Sequence, residues 1–132
     1  MWVIGDGPLE GELHNIVDKL DMNDCVKFLG RQNNPHKFTS RADVFICSSF
    51  SEGYSTVCTE AIMMGIPVVT TNVSGAEEII DDAESGMVVG MKDEDLYNGL
   101  HKVLEDNTLV EEWKNKLKTT RRRFYAGARI QR

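Results

Sequence analysis

The chain has 132 residues, of which 41% are hydrophobic and 27% charged, the make-up of one ordinary globular domain. Its net charge of −6 argues against nucleic acid as a partner, and no apolar run approaches the roughly 20 residues of a membrane span. No signal peptide precedes the first strand. The three cysteines, Cys25, Cys47 and Cys58, lack metal-ligand spacing and read as reduced, buried thiols of a cytoplasmic protein.

Residues 1–4 form an apolar strand closed by Gly5-Asp6-Gly7-Pro8. Leu9, Leu13, Ile16, Val17 and Leu20 then recur at helical spacing. Residues 25–29 read as a second strand, 37–41 as a short helix and 44–47 as a third strand. A helix over 56–64 stops at Gly65, and 67–70 is a fourth strand. Residues 76–80 form a short helix and 86–89 a fifth strand. Two amphipathic helices complete the chain, one carrying Leu96, Leu100, Val103 and Leu104, the other Leu109, Val110, Trp113 and Leu117. Arg121-Arg122-Arg123 reads as a solvated helix end favoured by the helix dipole.

Short, continuously apolar strands separated by helices imply a parallel sheet covered on both faces. The class is α/β, a doubly wound Rossmann-like sheet in a single domain over 1–132. The chain opens inside a strand, so the domain reads as truncated at its N-terminus. Loss of an upstream strand would leave an apolar sheet edge, and edges pair, so a homodimer through that edge is expected.

Ligands of open α/β sheets sit beyond the carboxyl ends of the strands, where loops meet helix N-termini. Two loops lie on that edge. Gly5-Asp6-Gly7-Pro8 suits a tight strand-to-helix turn and lacks the spacing of a dinucleotide fingerprint. The loop 48–55 is small, polar and glycine-containing, and it feeds a helix opening at Thr56. Free N–H groups at a helix start, aided by the macrodipole, bind a diphosphate without any basic residue. Glu60, one turn further on, leans back toward that start and suits a ribose diol. Glu52, on the loop, could do the same for a sugar ring. Glu52 equally reads as a surface charge and Glu60 as a helix-favouring acid. The histidines His14, His36 and His101 have no partners at ligand spacing, so no metal is expected.

The run Ser51-Glu52-Gly53-Tyr54-Ser55-Thr56-Val57-Cys58-Thr59-Glu60-Ala61 resembles the Glu-x7-Glu motif of glycosyltransferase family 4 and its GT-B relatives. Val3 to Pro8, Val26 to Gly30, Arg41 to Val44, Ala61 to Val69, Gly75 to Ile80 and Gly86 to Val89 resemble the same family's blocks in the same order. The resemblance implies the C-terminal, donor-binding half of a retaining GT-B enzyme that transfers a hexose-type sugar to a glycan, lipid or small-molecule acceptor. It assigns Glu52 to the donor sugar's hydroxyls, as the catalytic residue of this half. It brings the backbone of Gly53, Tyr54, Ser55 and Thr56 to the sugar and diphosphate, and gives the ribose to Glu60. Arg31 and Gln32 would lie along the base, and Lys37 stands where some relatives place a basic contact. Many relatives have glycine where this chain has Ser55.

No cofactor is implied. The donor would be a UDP-sugar, with GDP- or ADP-sugars as alternatives, and the intact enzyme could sit at the inner membrane face. The resemblance places the acceptor-binding domain, and a basic pair that neutralises the leaving diphosphate, outside this chain. The piece alone is therefore expected to be inactive. An epimerase-like GT-B enzyme and a non-catalytic interaction module with this fold are the alternatives.

Overall fold

The structure is a computed structural model; it describes residues 1–51 and 55–130, without the side chains of 81–83, 121 and 123–130. Strands and helices alternate from Trp2 to Val89, and two helices close the chain. The chain divides into two compact units, Met1–Phe38 and Thr39–Arg132.

The first unit contains strand β1 (Trp2–Ile4), helix α1 (Glu10–Lys19) and strand β2 (Lys27–Gly30). The short helix α2 (His36–Thr39) begins at its end. β1 and β2 run parallel, with Trp2 opposite Lys27 and Val3 opposite Phe28. α1 carries Glu10 and Glu12 in its first turn and Lys19 in its last, each sign matched to the nearby end of the helix dipole. Its apolar stripe does not become core. No residue of α1 is buried, and Leu9, Leu13, Ile16 and Leu20 are all exposed. Aromatic contacts supply much of the packing: His14 lies 4.0 Å from the Phe28 ring, and Trp2 meets Phe38 edge-on at 5.9 Å.

The second unit holds a three-stranded parallel sheet in the order β3 (Phe45–Cys47), β4 (Val68–Thr71), β5 (Gly86–Val89). The register places Phe45 opposite Val68, Cys47 opposite Thr70, and Thr71 opposite Val89. Helix α3 (Thr56–Met63) links β3 to β4, and α4 (Ala76–Ala83) links β4 to β5. Helices α5 (Asp93–Glu105) and α6 (Asn107–Ile130) follow. Parallel strands need such crossovers, and these cover the sheet on both faces.

β4 is the centre, buried along its whole length. Because side chains alternate, Val68 joins a cluster with Ala61 and Ile62 of α3, Ile79 and Ile80 of α4, and Leu117 of α6. Val69 points the other way, into a cluster with Val89, Val103 of α5, and Val110 and Trp113 of α6. α6 therefore closes both layers. Gly99 lets α5 approach the sheet, since a Cβ there would sit 2.5 Å from Val89 Cγ1.

Four expectations are corrected. Cys25 is exposed, because it belongs to the turn before β2, where its N–H donates to the Met22 carbonyl at 2.9 Å. Leu104 is exposed at the end of α5, where the adjacent Val103 takes the buried position. Arg121 to Arg123 do not end a helix, because α6 continues unbroken to Ile130. The helix after β4 extends to Ala83, three residues past Ile80. Among the described residues no helix is long and apolar enough to cross a membrane.

Candidate functional site

In a parallel sheet every strand delivers its following loop to the same edge. In the second unit this gathers the loop after Cys47, the turn 72–75 after Thr71, and Gly90 after Val89. Hydrogen bonds fix two of these relative to each other. Thr71 Oγ1 donates to the Ser49 carbonyl at 2.5 Å, tying the end of β4 to the loop after β3. The Asn72 N–H donates to the Val89 carbonyl at 2.8 Å, continuing the ladder past β4. Phe50, in the same loop, is 79% exposed.

The loop re-enters the described residues at Ser55, in extended backbone immediately before α3. The helical ladder starts with the Thr59 N–H donating to the Ser55 carbonyl at 3.2 Å. The N–H groups of Thr56, Val57 and Cys58 are thus the ones α3 itself cannot satisfy. An N-cap serine normally returns its hydroxyl to one of them. Ser55 makes no such bond. Its hydroxyl is buried and forms no hydrogen bond of good geometry among the described residues, although the Cys58 sulfur lies close by. N–H groups that the helix itself leaves unmet, with a buried hydroxyl beside them, can hold an anion. Glu60 stands one turn further along α3, exposed.

Beside this lies an open groove of about 370 Å³ lined by Asn72, Val73, Ser74, Gly75, Glu77 and Glu78. Gly75, with φ of 79°, makes the turn that lets α4 start there. Two carboxylates in the first turn of α4 repel an anion and accept hydrogen bonds from hydroxyls. The edge therefore offers N–H donors at the start of α3 and carboxylate acceptors at the start of α4. The sequence shows 76–80 as a helix and 75–80 as a block resembling the family, without a binding role for Glu77 or Glu78. The available signal was Val73-Ser74-Gly75, a small turn after a strand on the ligand edge.

Cys47 lies at the end of β3 and Cys58 in the first turn of α3. The neighbouring Cys58 thiol lowers the Cys47 pKa, and the Ser49 hydroxyl, 3.5 Å from Cys47 Sγ, acts in the same direction. The Cys58 pKa is raised by the same pairing and by burial.

The first unit carries its own pair of loops on its carboxyl edge. The Gly5 N–H donates to the Gly30 carbonyl at 2.9 Å, joining the Gly5–Pro8 turn to the loop that carries Arg31 and Gln32. Gln32 Nε2 donates to the Leu29 carbonyl at 2.5 Å, which folds that side chain back over β2. Arg31 and Lys37 are exposed. Ser55, Thr56 and Glu60 thus lie on the second unit, and Arg31 and Gln32 on the first. Glu52, Gly53 and Tyr54 lie outside the described residues.

Several proteins similar to this chain are named as glycosyltransferases. A bacterial protein from Campylobacter jejuni, "N-acetylgalactosamine-N,N'-diacetylbacillosaminyl-diphospho-undecaprenol 4-alpha-N-acetylgalactosaminyltransferase", is 36% identical over 92% of this chain and 34% of its own length. The lipopolysaccharide core biosynthesis glycosyltransferase LpsE of Rhizobium meliloti is 32% identical over 83% of this chain and 32% of its own. The chain spans about a third of the length of these curated relatives. Among solved structures, WaaG, a glycosyltransferase involved in lipopolysaccharide biosynthesis, superposes with a TM-score of 0.78. It is 28% identical over 88% of this chain and 32% of its own. Anabaena Alr3699/HepE, solved with UDP, shares the fold at a TM-score of 0.77 and 23% identity, covering 91% of this chain and 35% of its own. The fold is the α/β fold of GT-B glycosyltransferases. Residues 1–120 match the family described as "Glycosyl transferases group 1", and the chain belongs to that family.

Proposed function

We propose that this chain is the donor-binding part of a retaining, metal-independent glycosyltransferase of family 4, placed in the C-terminal half of the intact enzyme. The observation that carries the reading is the start of α3. Three N–H groups there are unmet by the helix, and the buried Ser55 hydroxyl beside them makes no capping bond. A diphosphate fits this cradle, and it explains how an acidic chain holds an anion.

Glu60 then accepts hydrogen bonds from the ribose hydroxyls, and Arg31 and Gln32 flank the base. Glu52 takes the hydroxyls of a hexose-type sugar, helped by the acidic wall of Glu77 and Glu78. As the glycosidic bond breaks, negative charge grows on the leaving diphosphate, where the helix start stabilises it most. The intact enzyme carries the sugar to a glycan or lipid acceptor. Support for such acceptors comes from the relatives, one named for an undecaprenol-linked saccharide and another for lipopolysaccharide core biosynthesis.

Thermal denaturation with excess UDP, GDP or ADP tests the reading. A nucleotide at ten times its Kd adds about 1.4 kcal/mol, a rise of a few degrees in Tm. The rise is expected with one nucleotide, which identifies the base, and is expected to disappear in Glu60→Ala. Absence of any shift at millimolar nucleotide overturns donor binding by this chain, and an unchanged shift in Glu60→Ala removes the ribose role.

A further inference from the structure

Cys47 and Cys58 are eleven positions apart in sequence, and they bracket the loop 48–55 at its two ends. One closes β3 and the other lies in the first turn of α3, the two elements that the residues 48–55 connect. Both belong to one buried cluster, at 7% and 1% exposure, and each thiol shifts the pKa of the other. Cysteines kept only for packing behave as small hydrophobes and need no polar company. These two have it: the hydroxyls of Ser49 and Thr70 adjoin Cys47, and those of Ser55 and Thr70 adjoin Cys58.

Hydrogen bonds converging on Cys47 favour its thiolate, the nucleophilic form, while Cys58 keeps its proton. A disulfide sets its two sulfurs about 2.05 Å apart, with a Cα separation of about 4.4–6.8 Å that the strand end and the first helical turn have to meet.

We propose that Cys47 and Cys58 are a reversible disulfide pair, closed by a hydroperoxide and clamping the loop 48–55 at its base. The Cys47 thiolate attacks one peroxide oxygen and the O–O bond breaks. Cys47 becomes a sulfenic acid, and the departing hydroxide takes up a proton to leave as water. The Cys58 sulfur then attacks the Cys47 sulfur. The S–S bond forms, the S–O bond breaks, and the second hydroxide leaves as water with the Cys58 proton. The two thiols lose two electrons in all, and the peroxide gains them. The clamp joins the end of β3 to the helix start whose N–H groups form the anion cradle. Its effect on a donor rests on the proposed function, but its formation does not.

The test is differential alkylation of the full chain after graded hydrogen peroxide, with no nucleotide present. Tryptic cleavage leaves both cysteines in the peptide 42–92 and Cys25 in another, so the exposed Cys25 serves as the reference thiol. The expected result is a 42–92 peptide lighter by two hydrogens, closed to alkylation until a thiol reductant restores both sites. Cys58→Ser is expected to stop the reaction at a Cys47 sulfenic acid that a cyclic dione captures. Two thiols in 42–92 that stay alkylatable at peroxide levels that oxidise Cys25 overturn the proposal. So does a Cys47 sulfinic acid beside a free Cys58.

Discussion

The two units are built from the same repeating pattern of strand and helix, yet they use it differently. In the second unit β4 is buried along its whole length, and helices on both faces fill two clusters. In the first, α1 has an equally regular apolar stripe and buries none of it. Val26 is the one apolar residue of that unit in the buried core among the described residues. Helical spacing shows which side chains share a face; whether a second layer covers the face depends on the rest of the fold. The same contrast holds at the ligand edges. The cradle at α3 is backed by buried side chains, whereas Arg31 and Lys37 stand on open surface.

The largest expected effect breaks the packed unit. Leu117 is fully buried where α6 meets α3 and α4, so Leu117→Ala removes contacts and leaves a cavity. A loss of about 2–5 kcal/mol is expected in urea unfolding. A loss under about 1 kcal/mol would mean that α6 does not close this layer.

Gly99→Ala probes the second cluster with the opposite change. In an open helix this substitution gains about 1 kcal/mol of helix propensity. Here the new methyl would meet Val89 Cγ1 at 2.5 Å and Met87 Sδ at 3.3 Å. Overpacking of this kind costs about 1–3 kcal/mol, so a net loss near 1 kcal/mol is expected. A net gain would show α5 standing further from β5.

These elements differ in how far sequence revealed them. The strand at 67–70 was legible because four apolar or β-branched residues follow a proline and a glycine-closed helix, and β4 covers Val68–Thr71. The close of α6 was not. Three arginines resemble a solvated terminus, but α6 continues through them to Ile130. At the site, the helix from Thr56 was legible from small polar residues before an apolar periodic run. The missing capping bond of Ser55 was not, since serine before a helix ordinarily implies the bond. The pairing of Cys47 with Cys58 escaped for a different reason. Eleven residues of separation mean nothing until the strand end and the helix start are folded together.

The smallest effect sharpens the contrast between the units. Leu13 lies on the open face of α1, 43% exposed. Leu13→Gln keeps helix propensity and most of the side-chain volume while removing apolar surface, so a change within about 0.5 kcal/mol is expected. A loss above about 2 kcal/mol would show that this face is covered in solution. The dependence of Tm on protein concentration then identifies the cover. A Tm that climbs with concentration points to a second copy of the chain, since mass action stabilises only what associates. A Tm that stays flat assigns the cover to residues of the same chain.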